Sequence, residues 1–196
     1  MIRAYFNQQA ASWDEVIAEK DTTRLEQMAE RLGLEPGFTV LDVGTGTGVF
    51  LPFLLDKIDV NGRVVALDVA EAMLLRAKAK GFTGNINYVC ADVMDIPLDN
   101  GIFDAVVCYS SFPHFQDKPG AFSEIYRVVK SSGGISICHT KSRNEINEIH
   151  RQIPEVHHDT IPEADKMKSM LSSAGFIEIS IEDESDSYLV LARKPA

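Results

Sequence analysis

The chain has 196 residues, 45% of them hydrophobic and 24% charged, with a formal net charge of −10. That length and balance suit one domain, 1–196, with a single sizeable core, and the acidity, with no Lys/Arg cluster, argues against nucleic acid or an anionic membrane as partner. No apolar run approaches the roughly 18 residues of a membrane span. The N-terminus is too polar for a signal peptide, and Cys90, Cys108 and Cys138 read as buried thiols of a reducing cytoplasm.

Residues Ile2 to Arg31 carry apolar positions at Val16, Ile17, Leu25, Met28, Ala29 and Leu32, a spacing that predicts helix. Gly33 closes that segment and Pro36-Gly37 turns the chain into a first strand. Tyr5, Phe6 and Trp13 are aromatics placed ahead of any core strand, so 1–33 is read as a helical lid or packing segment. Thr39 to Leu41 then runs into Asp42, followed by glycines at 44, 46 and 48 and an apolar helical pattern from Val49 to Ile58. This order is strand, tight turn, helix N-terminus, where free N–H groups favour an electron-rich ligand. A dinucleotide fingerprint would place its third glycine one residue later and would not put an acid two residues before the first. An anionic Asp42 suits a zwitterion or cation better than a diphosphate.

The pattern repeats along the chain. Arg63 to Leu67 is a strand ending at Asp68, and Ala70 to Lys80 a helix. Ile86 to Cys90 is a strand ending at Ala91-Asp92, and Phe103 to Cys108 one ending at Tyr109. A helix over Lys118 to Val129 leads through the turn Ser131-Ser132-Gly133-Gly134 to a strand at Ile135 to Cys138. Helices over Asn144 to Gln152 and Glu163 to Ala174 follow, then two strands, Ile177 to Glu182 and Tyr188 to Ala192, that read as an antiparallel pair. Strands alternating with helices predict an α/β fold, a mostly parallel sheet with helices on both faces. Ligands in such sheets bind beyond the carboxyl ends of the strands, so Asp42, Asp68 and Asp92 converge on one site.

The turn D-x-G-x-G-x-G after the first strand, with E-I-Y-R-V-V-K-S-S-G-G before the fifth, resembles the class I S-adenosylmethionine-dependent methyltransferases, in flavour the ubiquinone- and menaquinone-biosynthesis type. The resemblance covers about Thr39 to Ala192. It implies a Rossmann-like seven-stranded sheet in the order 3-2-1-4-5-7-6 with the last strand antiparallel, and S-adenosylmethionine as cofactor. By it, Asp42 and the loop of Gly44, Thr45, Gly46 and Gly48 serve the methionine moiety, Asp68 the ribose and Asp92 the adenine. Val69, Met73, Ala91 and Val93 lie beside the adenine, and Tyr109 completes the set. The family's activity implies methyl transfer to a small-molecule acceptor, by a monomer or homodimer. Tyr5, Trp13, Phe112, His114, His139, Arg143 and His150 are the substrate-side candidates.

All five histidines fall in the second half of the chain. His114 and His139 are candidates for a base with a pKa near neutrality. His139, His150 and His158, with or without Asp159, could instead bind a divalent metal, though their spacing matches no strict metal motif. Two other readings remain at this level: a nicotinamide-dependent oxidoreductase, and a non-catalytic S-adenosylmethionine-binding or metal-sensing protein.

Overall fold

The computed structural model describes residues 2–16 and 18–196; of the apolar positions in the first segment, Ile17 lies outside them. The elements in chain order are α1 (Ile2–Gln9), α2 (Trp13–Val16), α3 (Thr22–Glu30), β1 (Thr39–Val43), α4 (Leu51–Ile58), β2 (Arg63–Asp68), α5 (Glu71–Ala79), β3 (Ile86–Cys90) and β4 (Phe103–Tyr109). They continue with α6 (Lys118–Val128), β5 (Val129–His139), α7 (Arg143–Arg151), α8 (Ala164–Ser173), β6 (Ile177–Asp183) and β7 (Tyr188–Arg193). The seven strands form one sheet in the order β3-β2-β1-β4-β5-β7-β6, as expected. β7 runs antiparallel to both β5 and β6, and the other pairings are parallel.

Alternation along the central strands builds a core on each face. Val40 of β1 and Ala105 and Val107 of β4 point to one side, where α3 and α4 bring Leu25, Met28, Leu51, Leu54 and Ile58. Leu41, Val43, Val106 and Cys108 point to the other, against Phe122, Ile125 and Val128 of α6 and Met167 and Leu171 of α8. The central strands therefore read as continuous apolar runs, since both of their faces are covered.

The first segment is three short helices where one was expected. Its apolar residues serve two different cores: Leu25, Met28 and Ala29 join the α4 side, whereas Phe6, Ala10 and Trp13 pack with Ala70 and Met73 at the start of α5. One straight helix cannot reach both. Asp21 starts α3 afresh by accepting the backbone N–H groups of Thr23 and Arg24.

The expected turn at 131–134 is instead part of β5. The register jumps from Phe103 opposite Val129 to Ala105 opposite Gly134, a bulge that absorbs the extra residues without leaving the sheet. Asp104 fastens it, taking Lys130 Nζ at 2.7 Å and the backbone N–H of Thr39 at 2.8 Å. The E-x-x-R segment of α6 has a similar fastening role. Arg127 binds Glu124 and the carbonyls of Ile96 and Leu98, which ties the loop after β3 to the helix.

The glycine turn sits on a buried acid. Asp42 is buried and its Oδ2 accepts the Thr45 hydroxyl at 2.5 Å. Burial raises its pKa from 3.8 to about 7, opposed by the Thr45 hydrogen bond and reinforced by the negative charge of Asp68. Gly44 turns the chain at φ +73°, and a Cβ there would stand 2.3 Å from Cβ of Ser111, whose own hydroxyl donates to the Val43 carbonyl at 2.6 Å. Both backbone and space demand glycine.

Two outcomes follow for this turn. Gly44→Ala combines left-handed strain with overpacking, each worth about 1–3 kcal/mol, and should lower stability in urea denaturation by at least about 2 kcal/mol; a neutral result would disprove the close approach. For Asp42, the stabilisation conferred by the neutral folded acid is complete below the unfolded value of 3.8 and is lost as pH rises through about 7. Wild type should therefore lose stability relative to Asp42→Asn across that window, and a pH-independent difference would disprove the burial effect.

Candidate active site

At the carboxyl edge of the sheet the glycine turn folds over the end of β2. Gly44 and Thr45 donate their N–H groups to the Leu67 carbonyl at 2.7 and 3.0 Å. Asp68, buried at the tip of β2, takes Gly46 N–H on one oxygen and Ala70 N–H on the other, both at 2.8 Å. Burial raises the Asp68 pKa, while these two N–H groups and nearby His114 pull it back. Each oxygen keeps a further lone pair for a ligand. Asp92, at the end of β3, is exposed and holds Met94 N–H with one oxygen.

Two cavities open around this turn. The first is lined by Gly44, Gly46, Asp68, Val69, Met73, Ala91, Asp92 and Val93, and is roofed by Ile2, Phe6 and Trp13 of α1 and α2. Its floor is apolar and its rim carries the two carboxylates. At Gly46, with φ +55°, an added Cβ would meet nothing within 4 Å, so the turn presents bare backbone to open space. The second cavity, ≈ 220 Å³, is lined by Thr45, Tyr109, Thr140, Lys141, Ile146, Ile149 and three imidazoles, those of His114, His139 and His150. Trp13, Gly44, Gly46, Ser110 and His114 line both, so the cavities adjoin at the turn.

The roof is held largely by polar contacts. Asp14 of α2 accepts the Thr47 hydroxyl at 2.5 Å and pairs with Lys80 at 2.9 Å. Asn7 of α1 accepts Ala72 N–H at 2.9 Å, and Arg76 donates to the Ala11 carbonyl at 3.1 Å. Neither α1 nor α2 contains a buried residue.

Several sequence-derived candidates lie elsewhere. Asp42 lines neither cavity and supports the turn from beneath. Gly48 also lies behind it, where a Cβ would strike Phe82 at 2.7 Å. Phe112 is a core residue, stacked on Phe122 at 5.3 Å, because the strand-four loop turns this ring inward. Arg143 is engaged by Glu163 at 3.0 Å and Asp183 at 3.5 Å and lines neither cavity. Tyr5 packs edge-on against Phe6 outside the lining, while Phe6 faces the cavity. Tyr109 reaches the second cavity, stacked on Phe50 at 4.4 Å and with its hydroxyl 3.3 Å from that of Thr140.

The histidines divide. His157 and His158 are exposed and lie against one another outside both cavities. His139 is buried, and its Nε2 has no hydrogen-bond partner among the described residues. Burial, together with the other two imidazoles, lowers its pKa to about 3. His114 places Nδ1 2.8 Å from Asp159 Oδ2. Among the described residues no three His, Cys, Asp or Glu side chains come together to hold a metal ion, and of the candidate ligands His139 and His150 line the second cavity while His158 does not. The His114–Asp159 pair escaped sequence reasoning as a pair, because 45 residues separate its members.

The chain matches the methyltransferase-domain family over residues 41–137. Phosphoethanolamine N-methyltransferase 1 of Arabidopsis thaliana is 27% identical over 89% of this chain and 35% of its own length. The ubiquinone/menaquinone biosynthesis C-methyltransferase UbiE of Idiomarina loihiensis is 24% identical over 82% of this chain and 75% of its own. The chain thus spans about a third of the plant relative and three quarters of the bacterial one. Phosphoethanolamine N-methyltransferase 2 of Haemonchus contortus, solved in complex with S-adenosyl-L-methionine, shares the fold at a TM-score of 0.81 and 17% identity, covering 100% of this chain and 60% of that one. The strand order and the glycine turn agree with these likenesses, and the chain belongs to the class I S-adenosylmethionine-dependent methyltransferases.

Proposed function

We propose that this methyltransferase moves a methyl group from S-adenosylmethionine to a small-molecule acceptor, with the cofactor in the first cavity and the acceptor in the second. The observation that carries the proposal is that the two cavities adjoin along Trp13, Gly44, Gly46, Ser110 and His114. The first cavity's chemistry fits the cofactor. Asp68 has lone pairs for ribose hydroxyls, Asp92 for an adenine amino group, Val69, Met73 and Val93 offer apolar contact, and the bare turn at Gly46 admits close approach of the methionine part. Bound there, S-adenosylmethionine supplies an electrophilic methyl group on a sulfonium.

The protein's own contribution is positioning, water exclusion and handling of a proton. Well-oriented reactants account for on the order of 7–11 kcal/mol of a barrier. α1 and α2 cover the cofactor, and Trp13 of α2 reaches over the acceptor as well. His114, at the shared wall, is placed to take a proton from the acceptor, with Asp159 behind it. In this reading 1–196 acts as one domain in the cytoplasm, with α1 and α2 as its lid; among the described residues no helix is long and apolar enough to cross a membrane.

Three measurements test the reading. In calorimetric titration with S-adenosylhomocysteine, Asp68→Ala should weaken binding about tenfold to a hundredfold, the weight of a charged hydrogen-bonding partner. Gly46→Ala should fold, at a cost of about 1–2 kcal/mol for its left-handed backbone, but bind poorly, since its methyl group enters the cavity. Wild-type affinity in either variant would move the cofactor elsewhere. Asp14→Ala should speed amide exchange over residues 2–16 with little change in melting temperature, and unchanged exchange would mean that α2 is not a separately anchored lid.

A further inference from the structure

The turn after α7 places one residue against two imidazoles. The Asn147 side chain pins this turn, donating to the Ile161 carbonyl at 2.9 Å and accepting Ile161 N–H at 2.8 Å. Val156 and Ile161 are buried on either side of Asp159. Asp159, itself bonded through its N–H to the Val156 carbonyl at 2.8 Å, is held in place. Its Oδ2 lies 2.8 Å from His114 Nδ1, and its backbone carbonyl 2.6 Å from His150 Nδ1. The two rings stand 4.8 Å apart, centre to centre.

These partners decide where the imidazole protons sit. A backbone carbonyl only accepts, so His150 donates from Nδ1 and its Nε2 keeps a lone pair. A carboxylate likewise takes the Nδ1 proton of neutral His114 and leaves its Nε2 as an acceptor. Neither Nε2 bonds to a described residue, and neither is among the buried polar atoms without a partner, so both are open to a ligand. Burial and the neighbouring His114 lower the His150 pKa, with Lys118 adding and Asp159 opposing. Lys118 Nζ is itself taken up by the carbonyls of Pro113 and Phe115. Among the described residues Lys141 is the one ammonium in the second cavity's lining and is bound to Glu145 at 2.5 Å; Glu19 in the same lining is an acid. Asp68 faces His114 from the first cavity.

We infer that the acceptor is an uncharged phenol or enol whose hydroxyl hydrogen meets the Nε2 lone pairs of His114 and His150, with Asp159 as the positioning residue that fixes both tautomers. This rests on the second cavity being the acceptor site. A phosphate monoester or carboxylate would meet lone pairs there, with no free cation to answer its charge. A planar hydroxylated ring instead finds two acceptors and the apolar surface of Trp13, Tyr109 and Ile146. In the transfer, the hydroxyl proton goes to His114 Nε2, and an oxygen electron pair forms the new O–CH3 bond. The C–S electron pair stays on sulfur, which becomes a neutral thioether. The imidazolium keeps its Nδ1–H on Asp159 and later gives the Nε2 proton to water.

The test reads the rings directly. In nitrogen-15 spectra of wild type at neutral pH, His114 and His150 should both be Nδ1–H tautomers. Asp159→Ala should scramble His114 and leave His150, whose partner is backbone. Catechol should bind the wild type at least about tenfold more tightly than phenyl phosphate, and Asp159→Ala should lose about tenfold of the catechol affinity while retaining that for S-adenosylhomocysteine. Asp159→Asn guards against a folding defect: it keeps the side chain's shape, but its amide can donate to Nδ1 as well as accept from it, so His114 should lose the fixed Nδ1–H tautomer and catechol affinity should fall as in Asp159→Ala. An Nε2–H tautomer or a charged His114 in wild type at neutral pH, or phenyl phosphate binding as tightly as catechol, would overturn the inference. Failure of wild type to bind S-adenosylhomocysteine would instead sink the cofactor assignment and leave the tautomer result standing.

Discussion

The carboxylate of Asp68 is the constraint on which the site depends. Its two oxygens hold the N–H of Gly46 on the first crossover and of Ala70 on the second, so one buried charge sets the separation of two loops that diverge from neighbouring strands. A carboxylate held by two amides resists reorientation, and a ligand meets it already aimed. The cost is desolvation, visible in the raised pKa of Asp68 and in its effect on Asp42 beneath the same turn. Two acids near one another under a glycine loop are tolerated because one is supplied with amide hydrogens and the other with the Thr45 hydroxyl.

The imidazole group follows a similar economy at larger scale. His139 is deep and has no partner for Nε2, while His114 and His150 share a single residue that faces them with a side chain and a backbone carbonyl. Three rings so close cannot all be charged, and burial settles His139 as neutral. His139 therefore gives the cavity a polar but uncharged surface.

The sheet was legible in the sequence because its signals are local. Apolar runs ending at Asp42, Asp68 and Asp92, each followed by a helical pattern, need only neighbours in the chain to be read. The antiparallel pair at the end was visible for the same reason. What escaped depended on distant partners. The 131–134 stretch reads as a turn by its glycines, and only Asp104 across the sheet makes it a bulge. Phe112 and Arg143 look like cavity residues by type, yet Phe122 claims one and Glu163 and Asp183 the other. Asp159 was grouped with His150 in the sequence, but nothing near it in the chain indicates His114. The single long helix expected at the start failed because two separate cores compete for its apolar residues.

Trp13 has a consequence for the order of events. It lines both cavities and sits on α2, whose fastening to the body runs through Asp14. A single indole therefore stands at the doorway of two compartments. In the proposed function, lifting α2 would open both compartments together. On that reading one gate would serve both ligands, and a tightly held product would delay the cofactor's replacement.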